Sequence, residues 1–395
     1  MDLIFSNSDS YRELSNSKNL AIKTSSPKAI YRPKNLEELI EVIKVIRCYS
    51  LDFAVRSGGH CVAGFSSTNS VLISLEKLNT LSYDQKTQIL TVGPGASLGD
   101  CYSYLAQFKR SIPGGTCRSV CIGGQSLVGG IGYSTRAYGL LTDNILRYSL
   151  VIFGKNQLKT LTVDSQNNSD LFWLLRGCGV LEKQKFIVYQ LSIKTFPADE
   201  VYVVNNLYSL EDPKAINLIS KLTQVKNEAT FQIKIDKLGI QITGQGFSEN
   251  MEPLQTSAQK LSYEKALKLL ITDSQPMYKR YYSQMFSHCL SRQVILKLVQ
   301  EVLKVKGLVI EIHQLKGSAE GSMPWKNSLY WLDLSIHSQN KIPVEDRRKL
   351  RRIYELILPY SDSSPYSGTM NREENFYGDS ENRRKLLEVV RKYFN

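Results

Sequence analysis

The sequence predicts a two-domain α+β protein, and three observations favour this class. The chain has 395 residues, of which 42% are apolar, so it is long enough to bury the cores of two or three domains. The patterns of its first 60 residues alternate strand, helix and strand. From about residue 200, alternating apolar and polar strands are interleaved with helices, which indicates an antiparallel sheet covered on one side.

The elements of the first domain follow from periodicity and capping. Apolar residues recur at helical spacing over 36–46, directly after Asn35, a residue type that favours a helix N-cap. Short apolar runs bounded by turn residues predict strands on either side of this helix. The predicted strands are 29–32, 53–55, 71–75, 89–92, 148–153, 158–163 and 187–193, and the other helical segments are 98–107 and 170–176.

In the second half of the chain the pattern predicts strands at 231–235 and 240–243. Helices are predicted at 291–305, 347–358 and 381–394, with an irregular Pro- and Ser-containing stretch at 359–371. No internal repeat is present. This half therefore accounts for the antiparallel sheet and the helices that cover it.

Charge and cysteine content exclude several classes of protein. The net charge is +13, but the basic residues are spread along the chain, which favours solvated helix faces over nucleic-acid or membrane binding. Seven cysteines without a paired zinc spacing favour neither a disulfide framework nor a metal site. We see no signal peptide and no membrane-spanning stretch, so we expect a cytosolic protein, or one exported by a route that reads no N-terminal signal.

Two glycine-rich segments lie at residues 56–60 and 115–144. Glycine at this density marks backbone that has positive φ or that lies close against another group. Neither the dinucleotide pattern GxGxxG between strand and helix nor the phosphate-binding pattern GxxxxGK occurs. The consecutive amides of Ser57, Gly58 and Gly59 suit a pyrophosphate, although a Gly-Gly pair is also typical of a simple tight turn.

His60 ends the first glycine segment and Cys117 lies in the second. Taken singly, they are typical of a hydrogen-bonded core histidine and a buried thiol. Taken together, an imidazole and a thiol can both bond to one flavin, and a cofactor held at two points needs glycine around it for close approach. The joint pattern favours a flavin site.

At these residues the chain resembles the berberine bridge enzyme-like branch of the FAD-linked oxidases, which includes oligosaccharide oxidases and cannabinoid-forming oxidases. The family's first loop reads R-S-G-G-H, which residues 56–60 match. Its second loop reads G-x-C-x-x-V-G-x-G-G-H, followed by G-G-x-G-Y, Y-G-L and D-N. The corresponding stretches are 115–125, 129–133, 138–140 and 143–144, and the match continues at 170–173.

The resemblance implies a two-lobed FAD-binding fold of the PCMH type. The implied domains are an FAD-binding domain at 1–197, a substrate domain at 198–355 and a C-terminal segment at 356–395 that returns to the first domain. It further implies bicovalent FAD, bonded through His60 at 8α and Cys117 at C6, with Cys121 as the competing thiol. The implied cofactor-binding residues are Arg56, Ser57, Gly58, Gly59, His60, Cys117, Val120, Gly123, Gly124, Gly129, Tyr133, Asn144 and Val188.

Departures from the family pattern concern the catalytic base. Gln125 stands where the family has histidine, and Thr369-Met370-Asn371-Arg372 replaces the region with the base tyrosine. The glycine run before the strand at 187–193 is altered over 177–188, and Ser380 stands where the family has a flavin-contacting asparagine.

Two substitutes for the base are Tyr366, three residues upstream of the expected position, and Glu311 on a predicted strand. The alternatives are that Tyr366 is structural and that Glu311 and His313 face solvent.

The implied reaction is hydride transfer from a C–H bond of a small-molecule substrate to FAD, followed by reoxidation with O2 to give H2O2. A small residue at Val120 favours O2 as the acceptor in this family. The resemblance allows two substrate classes, a sugar and a phenolic or alkaloid-like metabolite. We expect the protein to be a monomer or a homodimer. The alternative is a catalytically degenerate FAD-binding scaffold or interaction protein.

Overall fold

The structure, a computed structural model, describes residues 2–6, 8–22, 25–153, 158–178, 185–224, 227–316, 321–362, 366 and 380–394. Residues 179–184 of the altered glycine run, the segment 369–372 and the side chain of Ser380 lie outside this description. The described chain mixes helices with largely antiparallel sheets, which confirms the predicted α+β class.

The strands are β1 (Asp2–Ile4), β2 (Ala29–Arg32), β3 (Phe53–Arg56), β4 (Val71–Ser74), β5 (Leu81–Asp84), β6 (Ile89–Val92), β7 (Arg110–Ser111), β8 (Ile145–Phe153), β9 (Leu158–Asp164), β10 (Phe186–Lys194), β11 (Phe196–Pro197), β12 (Glu200–Tyr208), β13 (Thr230–Asp236), β14 (Gly239–Gly246), β15 (Gln259–Ser262), β16 (Tyr278–Phe286), β17 (Leu308–Gln314) and β18 (Tyr330–Ser338). The helices are α1 (Asp9–Ser15), α2 (Leu36–Cys48), α3 (Leu98–Ala106), α4 (Ile122–Gln125), α5 (Thr135–Tyr138), α6 (Ser169–Cys178), α7 (Pro213–Leu222), α8 (Tyr263–Leu270), α9 (Arg292–Lys304), α10 (Val344–Ile357) and α11 (Ser380–Phe394). Short 3₁₀ turns lie at Thr142–Asn144, Gln255–Ser257 and Leu358–Tyr360.

The first lobe is built on two sheets. One has the strand order β1-β2-β4-β3, with β2 and β3 parallel to β4, and the other is antiparallel with the order β5-β6-β10-β8-β9. Helix α2 buries Leu39 and Ile43 against β4, β8 and β10, so it joins the two sheets in one core. As the sequence predicts, the Asn35 side chain caps α2 by accepting a hydrogen bond from the Glu38 amide at 2.9 Å.

The second lobe is an antiparallel sheet with the order β15-β12-β14-β13-β17-β18-β16. Its strands alternate, so one face packs apolar residues against α7, α9 and α10, with Ile219, Ile295 and Ile353 buried at the contact. The opposite face carries polar and aromatic residues and faces the first lobe. A sheet covered by helices on one side, as predicted, thereby presents its other side to the functional site.

The ends of the chain tie the lobes together. Helix α11 buries Leu386, Val389 and Phe394 in the core of the first lobe, beside residues of β8 and β10. Near the N-terminus, the Leu20 amide donates to the Met277 carbonyl at 2.8 Å, which fixes the segment before α2 to the start of β16. None of the described helices combines the length and apolar character needed to cross a bilayer.

Candidate active site

A cavity of about 400 Å³ lies between the glycine-rich loops of the first lobe and the uncovered face of the second-lobe sheet. This volume is in the range of small-molecule and cofactor sites. The first lobe contributes most of its wall, including both glycine segments, and the second lobe contributes Ser274, Lys279, Tyr281 and Trp331. Tyr366 closes the wall beside Trp331, with the two ring centroids 4.8 Å apart.

Of the predicted cofactor-binding residues, those whose atoms line the cavity are Ser57, Gly58, Gly59, His60, Cys117, Val120, Gly123, Gly124 and Val188. His60 and Cys117 meet through Ser119. The Ser119 hydroxyl shares a hydrogen bond with His60 Nε2 at 3.1 Å and lies 3.5 Å from the Cys117 sulfur. His60 and Cys117 are 57 positions apart in sequence and both line the cavity, and they thus contact one hydroxyl.

The imidazole of His60 is held in its neutral form. Burial lowers its pKa to about 4, and the positive charges of Lys18, Lys279 and Arg56 act in the same direction. At neutral pH one of its two ring nitrogens therefore keeps the lone pair that a nucleophile needs.

The loop that carries Cys117 is anchored by the second lobe. The Arg118 amide donates to the Thr272 carbonyl, and the Thr272 amide donates to the Thr116 carbonyl, each at 3.1 Å. This parallel bridge holds Cys117 beside the segment that leads into β16. The position of the thiol therefore depends on both lobes.

Cys121, the competing thiol, also lines the cavity but lies in a tighter environment. A Cβ placed on Gly58 would come within 3.0 Å of the Cys121 sulfur, so this sulfur packs against the first glycine loop. Burial raises the pKa of the Cys121 thiol to about 12, which keeps it protonated and less nucleophilic.

Close approach explains the glycines of the two loops. Gly59 has φ +71°, and a Cβ there would lie 2.2 Å from the Arg56 guanidinium carbon. A Cβ on Gly123 would lie 2.6 Å from atoms of both Pro94 and Ser57. Gly124 differs, because a Cβ there would meet no atom within 4 Å. Since Gly124 lines the cavity, this gap is room on the cavity side of the helix.

Four predicted cofactor residues lie outside the cavity wall and have structural contacts. The Arg56 guanidinium donates to the carbonyls of Asn16 and Glu13, at 2.8 and 3.4 Å, and thereby secures the chain before α2. Asn144 donates to the carbonyls of Tyr138 and Leu140, the Tyr133 hydroxyl contacts Thr243 Oγ1 at 2.7 Å, and Gly129 packs against the Tyr366 ring.

The two predicted base candidates differ in position. Tyr366 lines the cavity, and its hydroxyl oxygen accepts a hydrogen bond from the Gly130 amide at 3.3 Å. Burial raises the pKa of Tyr366 to about 12, while the amide bonds act to lower it. Glu311 lies on β17 and is not part of the cavity wall; burial raises the pKa of its carboxyl group.

The expectation that His313 faces solvent is wrong. Its ring is 7% exposed and stacks on Trp331 at 4.4 Å between centroids, and neither ring nitrogen has a hydrogen-bond partner among the described residues. His313 packs against Trp331, which is itself buried in a cluster with Ile131 and Leu140 of the first lobe. A period-2 pattern does not reveal such cover.

Five residues of the site were not predicted from the sequence: Ser119, Lys18, Lys279, Tyr281 and Trp331. Ser119 lies inside the second motif, so proximity to Cys117 was an available signal. The other four reach the cavity through tertiary packing. Gln125, the departure from the family histidine, lines the cavity and accepts a hydrogen bond from the Gly115 amide at 3.2 Å.

Comparison with known proteins identifies the first lobe. The model of a family described as the FAD binding domain matches residues 27–161. This part of the chain is similar to FAD binding domains. It contains both glycine loops, His60 and Cys117, which confirms the resemblance to FAD-linked proteins of the berberine bridge enzyme-like type.

Relatives and solved structures agree with this identification. An FAD-linked oxidoreductase of Dictyostelium discoideum is 29% identical over 222 residues, which are 55% of this chain and 47% of that protein. The chain spans about half or less of the length of the curated relatives it matches. The Physcomitrella patens BBE-like 1 structure has a TM-score of 0.88 at 20% identity, covering 100% of this chain and 95% of that one. The predicted two-lobed fold is thus confirmed.

A glucooligosaccharide oxidase from Acremonium strictum has a TM-score of 0.83 at 18% identity, over 99% of this chain and 94% of that one. Its FAD is a 6-S-cysteinyl, 8α-N1-histidyl FAD. These relatives are named as oxidoreductases and oxidases, so they give no support to the alternative of a degenerate scaffold.

The cavity of the FAD binding domain fits an FAD. The amides of residues 57–59 and the open side of Gly124 provide backbone against which a flat cofactor can lie without an intervening side chain. An imidazole and a thiol stand side by side at the wall, which is the donor set that a twice-bonded flavin requires. Among the described residues, no cluster of His, Cys, Asp and Glu side chains could hold a metal ion.

Proposed function

We propose that this chain is an FAD-dependent oxidase that transfers a hydride from a C–H bond of a small donor to FAD and then to O2, giving H2O2. The observation that carries the proposal is that His60 and Cys117 both line the cavity and both contact the Ser119 hydroxyl. The donor class is a sugar or a phenolic or alkaloid-like metabolite, in which the oxidised carbon carries or adjoins a hydroxyl group.

Bicovalent attachment is the finer part of the proposal. His60 would hold the flavin at 8α and Cys117 at C6, while the amides of Ser57, Gly58 and Gly59 would bind the pyrophosphate. Bound FAD supplies the hydride acceptor. The neutral imidazole of His60 supports this assignment, and the tight packing of the Cys121 sulfur against Gly58 argues against the competing cysteine.

Tyr366 is the base that we propose for the donor hydroxyl. It lines the cavity, whereas Glu311 does not, and the Gly130 amide points at the oxygen that would carry the negative charge. Val120 also lines the cavity and is small, which supports O2 as the electron acceptor.

An oxygen electrode and a peroxide assay test the activity with a panel of sugars and phenols. We expect O2 uptake matched by H2O2, and a fall of about 10²–10⁴-fold in the rate of flavin reduction in Tyr366→Phe, the usual contribution of a general base. A bound flavin that dithionite reduces but no donor on the panel reduces would contradict the oxidase proposal. Equal rates of flavin reduction in wild type and Tyr366→Phe would exclude Tyr366 as the base and would leave the oxidase proposal standing.

Single variants test the attachment. His60→Ala and Cys117→Ala should each keep one bond to the flavin, seen as one flavin-modified peptide by mass spectrometry, and Cys121→Ala should keep both. Two bonds in Cys117→Ala would assign the thioether to Cys121. The cytosolic location and the monomeric or homodimeric state stay predictions.

A further inference from the structure

The cavity is positively charged. Two lysines, Lys18 and Lys279, line it, and no Asp or Glu occurs among its described lining residues. Both ammonium groups lie close enough to His60 to lower the pKa of its imidazole. The lysines come from different lobes, and both raise the positive potential inside the cavity.

Lys279 stands on the uncovered face of β16, opposite His337 of β18. Its ammonium donates to the neutral hydroxyl of Ser274 at 2.9 Å. Within the described part of the chain it forms no ion pair; Glu311, Asp333 and Cys117 act on it only at longer range. Burial lowers the pKa of Lys279, so this cation has lost part of its water without gaining a close counter-charge.

One aromatic side chain neighbours this cation on the sheet. Tyr281 is two residues farther along the same strand and therefore on the same face, whereas Trp331, opposite Met285, and Tyr366 line the cavity farther along the sheet. Such surfaces bind the flat face of a ring, while the ammonium and the Ser274 hydroxyl offer donors to a group at the ring's edge.

Lys18 lies where the two lobes meet. Its amide donates to the Gly59 carbonyl at 3.4 Å, and its carbonyl accepts a hydrogen bond from the Met277 amide at 3.3 Å. Lys279 belongs to strand β16 of the substrate-facing sheet. Of the two cations, Lys279 is the one carried by that sheet, and it is therefore the one assigned to the donor.

We propose that Lys279 is a specificity-determining residue and that the donor oxidised at this site is a ring compound carrying a carboxylate. The inference rests on the proposed function and narrows its donor class. The carboxylate would accept hydrogen bonds from the Lys279 ammonium and the Ser274 hydroxyl, while its ring lies against Tyr281.

Benzoate and benzamide are matched probes, because they share shape and differ in charge. Binding to the holoprotein is measured by calorimetry and by the change in flavin absorbance, in wild type, Lys279→Met and Lys279→Arg. A parallel pair, D-glucuronate and D-glucose, covers sugar rings. Lys86→Met, which removes an exposed lysine from a turn far from the cavity lining, is the matched control.

We expect the charged member of at least one pair to bind at least about tenfold more tightly in wild type, as a charge-assisted hydrogen bond requires. Lys279→Met should abolish this preference, Lys279→Arg should keep most of it, and Lys86→Met should leave it unchanged. Equal binding of charged and neutral probes, or a preference that survives Lys279→Met, would overturn the proposal.

Flavin content separates this inference from the proposed function. Protein without flavin contradicts the oxidase, whereas flavin-loaded protein without charge preference contradicts only the role of Lys279. If Lys279→Met loses flavin while its loaded fraction still prefers benzoate, the lysine serves the cofactor phosphates, and the specificity proposal is again overturned.

Discussion

Ser119 is the residue through which the two proposed attachment points meet. Its hydroxyl contacts both His60 and Cys117, and so it fixes the distance between imidazole and thiol. His60 and Cys117 were predictable because each stands in a motif. The contact of Ser119 with His60 was not, since it forms only when two loops far apart in sequence come together.

Removing this hydroxyl should slow covalent loading of the flavin. In Ser119→Ala we expect the rate of flavin attachment to reconstituted apoprotein to fall about fivefold, the factor set by one hydrogen bond of about 1 kcal/mol. Acid-stable flavin fluorescence after timed reconstitution measures it. Ser82→Ala, at an exposed position of β5, is the control. A rate equal to that of the control would show that the hydroxyl positions neither residue.

His313 makes stability depend on pH. Burial lowers its pKa to about 3, against about 6.5 in the unfolded chain, so the unfolded state binds more protons in this window. Stability contributed by the neutral ring is full above pH 6.5 and is lost as the pH falls toward 3. His60 and His337, each with a pKa lowered to about 4 chiefly by burial, act in the same direction.

His313→Phe keeps a ring against Trp331 and removes the titration. Between pH 6.5 and 4.5 its free energy of unfolding should fall less steeply than that of wild type, by up to about 1.4 kcal/mol per pH unit. Urea unfolding at pH 7.0 and pH 5.0 tests this, with the exposed His288→Phe as control. Parallel pH dependence in wild type and His313→Phe would refute the assignment.

At the scale of the element, the glycine loops determine the shape of the site. The predicted helices and longer strands were found because their periodicity spans several turns or residue pairs, as in α2 and α9. Strands such as β7 and β11, of two residues each, carry no such pattern. Which face of β17 is covered also escaped prediction, because alternation marks two faces without saying what lies against each.

Gly59 and Gly124 form a test pair. Gly59→Ala places a methyl group against the Arg56 guanidinium at positive φ, so we expect a loss of about 2 kcal/mol or more of stability. Gly124→Ala should be nearly neutral for the fold, because nothing lies within 4 Å, yet it should lower flavin content by filling cavity space. Thermal unfolding of the apoproteins and flavin absorbance separate the two effects. Unimpaired flavin binding in Gly124→Ala would contradict the placement of the cofactor.

At the scale of the whole molecule, the C-terminal helix completes the FAD binding lobe. The Lys392 ammonium and the Tyr393 hydroxyl both reach Asp170 of α6, at 2.6 and 2.7 Å, and Phe394 stacks on Phe186 of β10. The family motif includes Asp170, but its partners on α11 lie more than 200 positions away. Sequence patterns within one element do not reveal such pairing.

Phe394 is 1% exposed, so Phe394→Ala should cost about 3–5 kcal/mol, the range for deleting a buried aromatic ring. Leu387→Ala on the same helix, at a position 47% exposed, should change stability by less than about 0.5 kcal/mol. Urea unfolding followed by tryptophan fluorescence measures both. Similar effects of the two substitutions would show that α11 is not packed into the first lobe as described.

Covalent bonds from His60 and Cys117 are proposed to hold an FAD in this cavity. Acid precipitation of the purified protein shows whether the flavin is bonded to the chain, because only bonded flavin stays with the precipitate. We predict that the flavin absorbance stays with the precipitated protein in wild type and leaves it in the double variant His60→Ala/Cys117→Ala. Free FAD in the supernatant of wild type, or no flavin in either fraction, would contradict the claim.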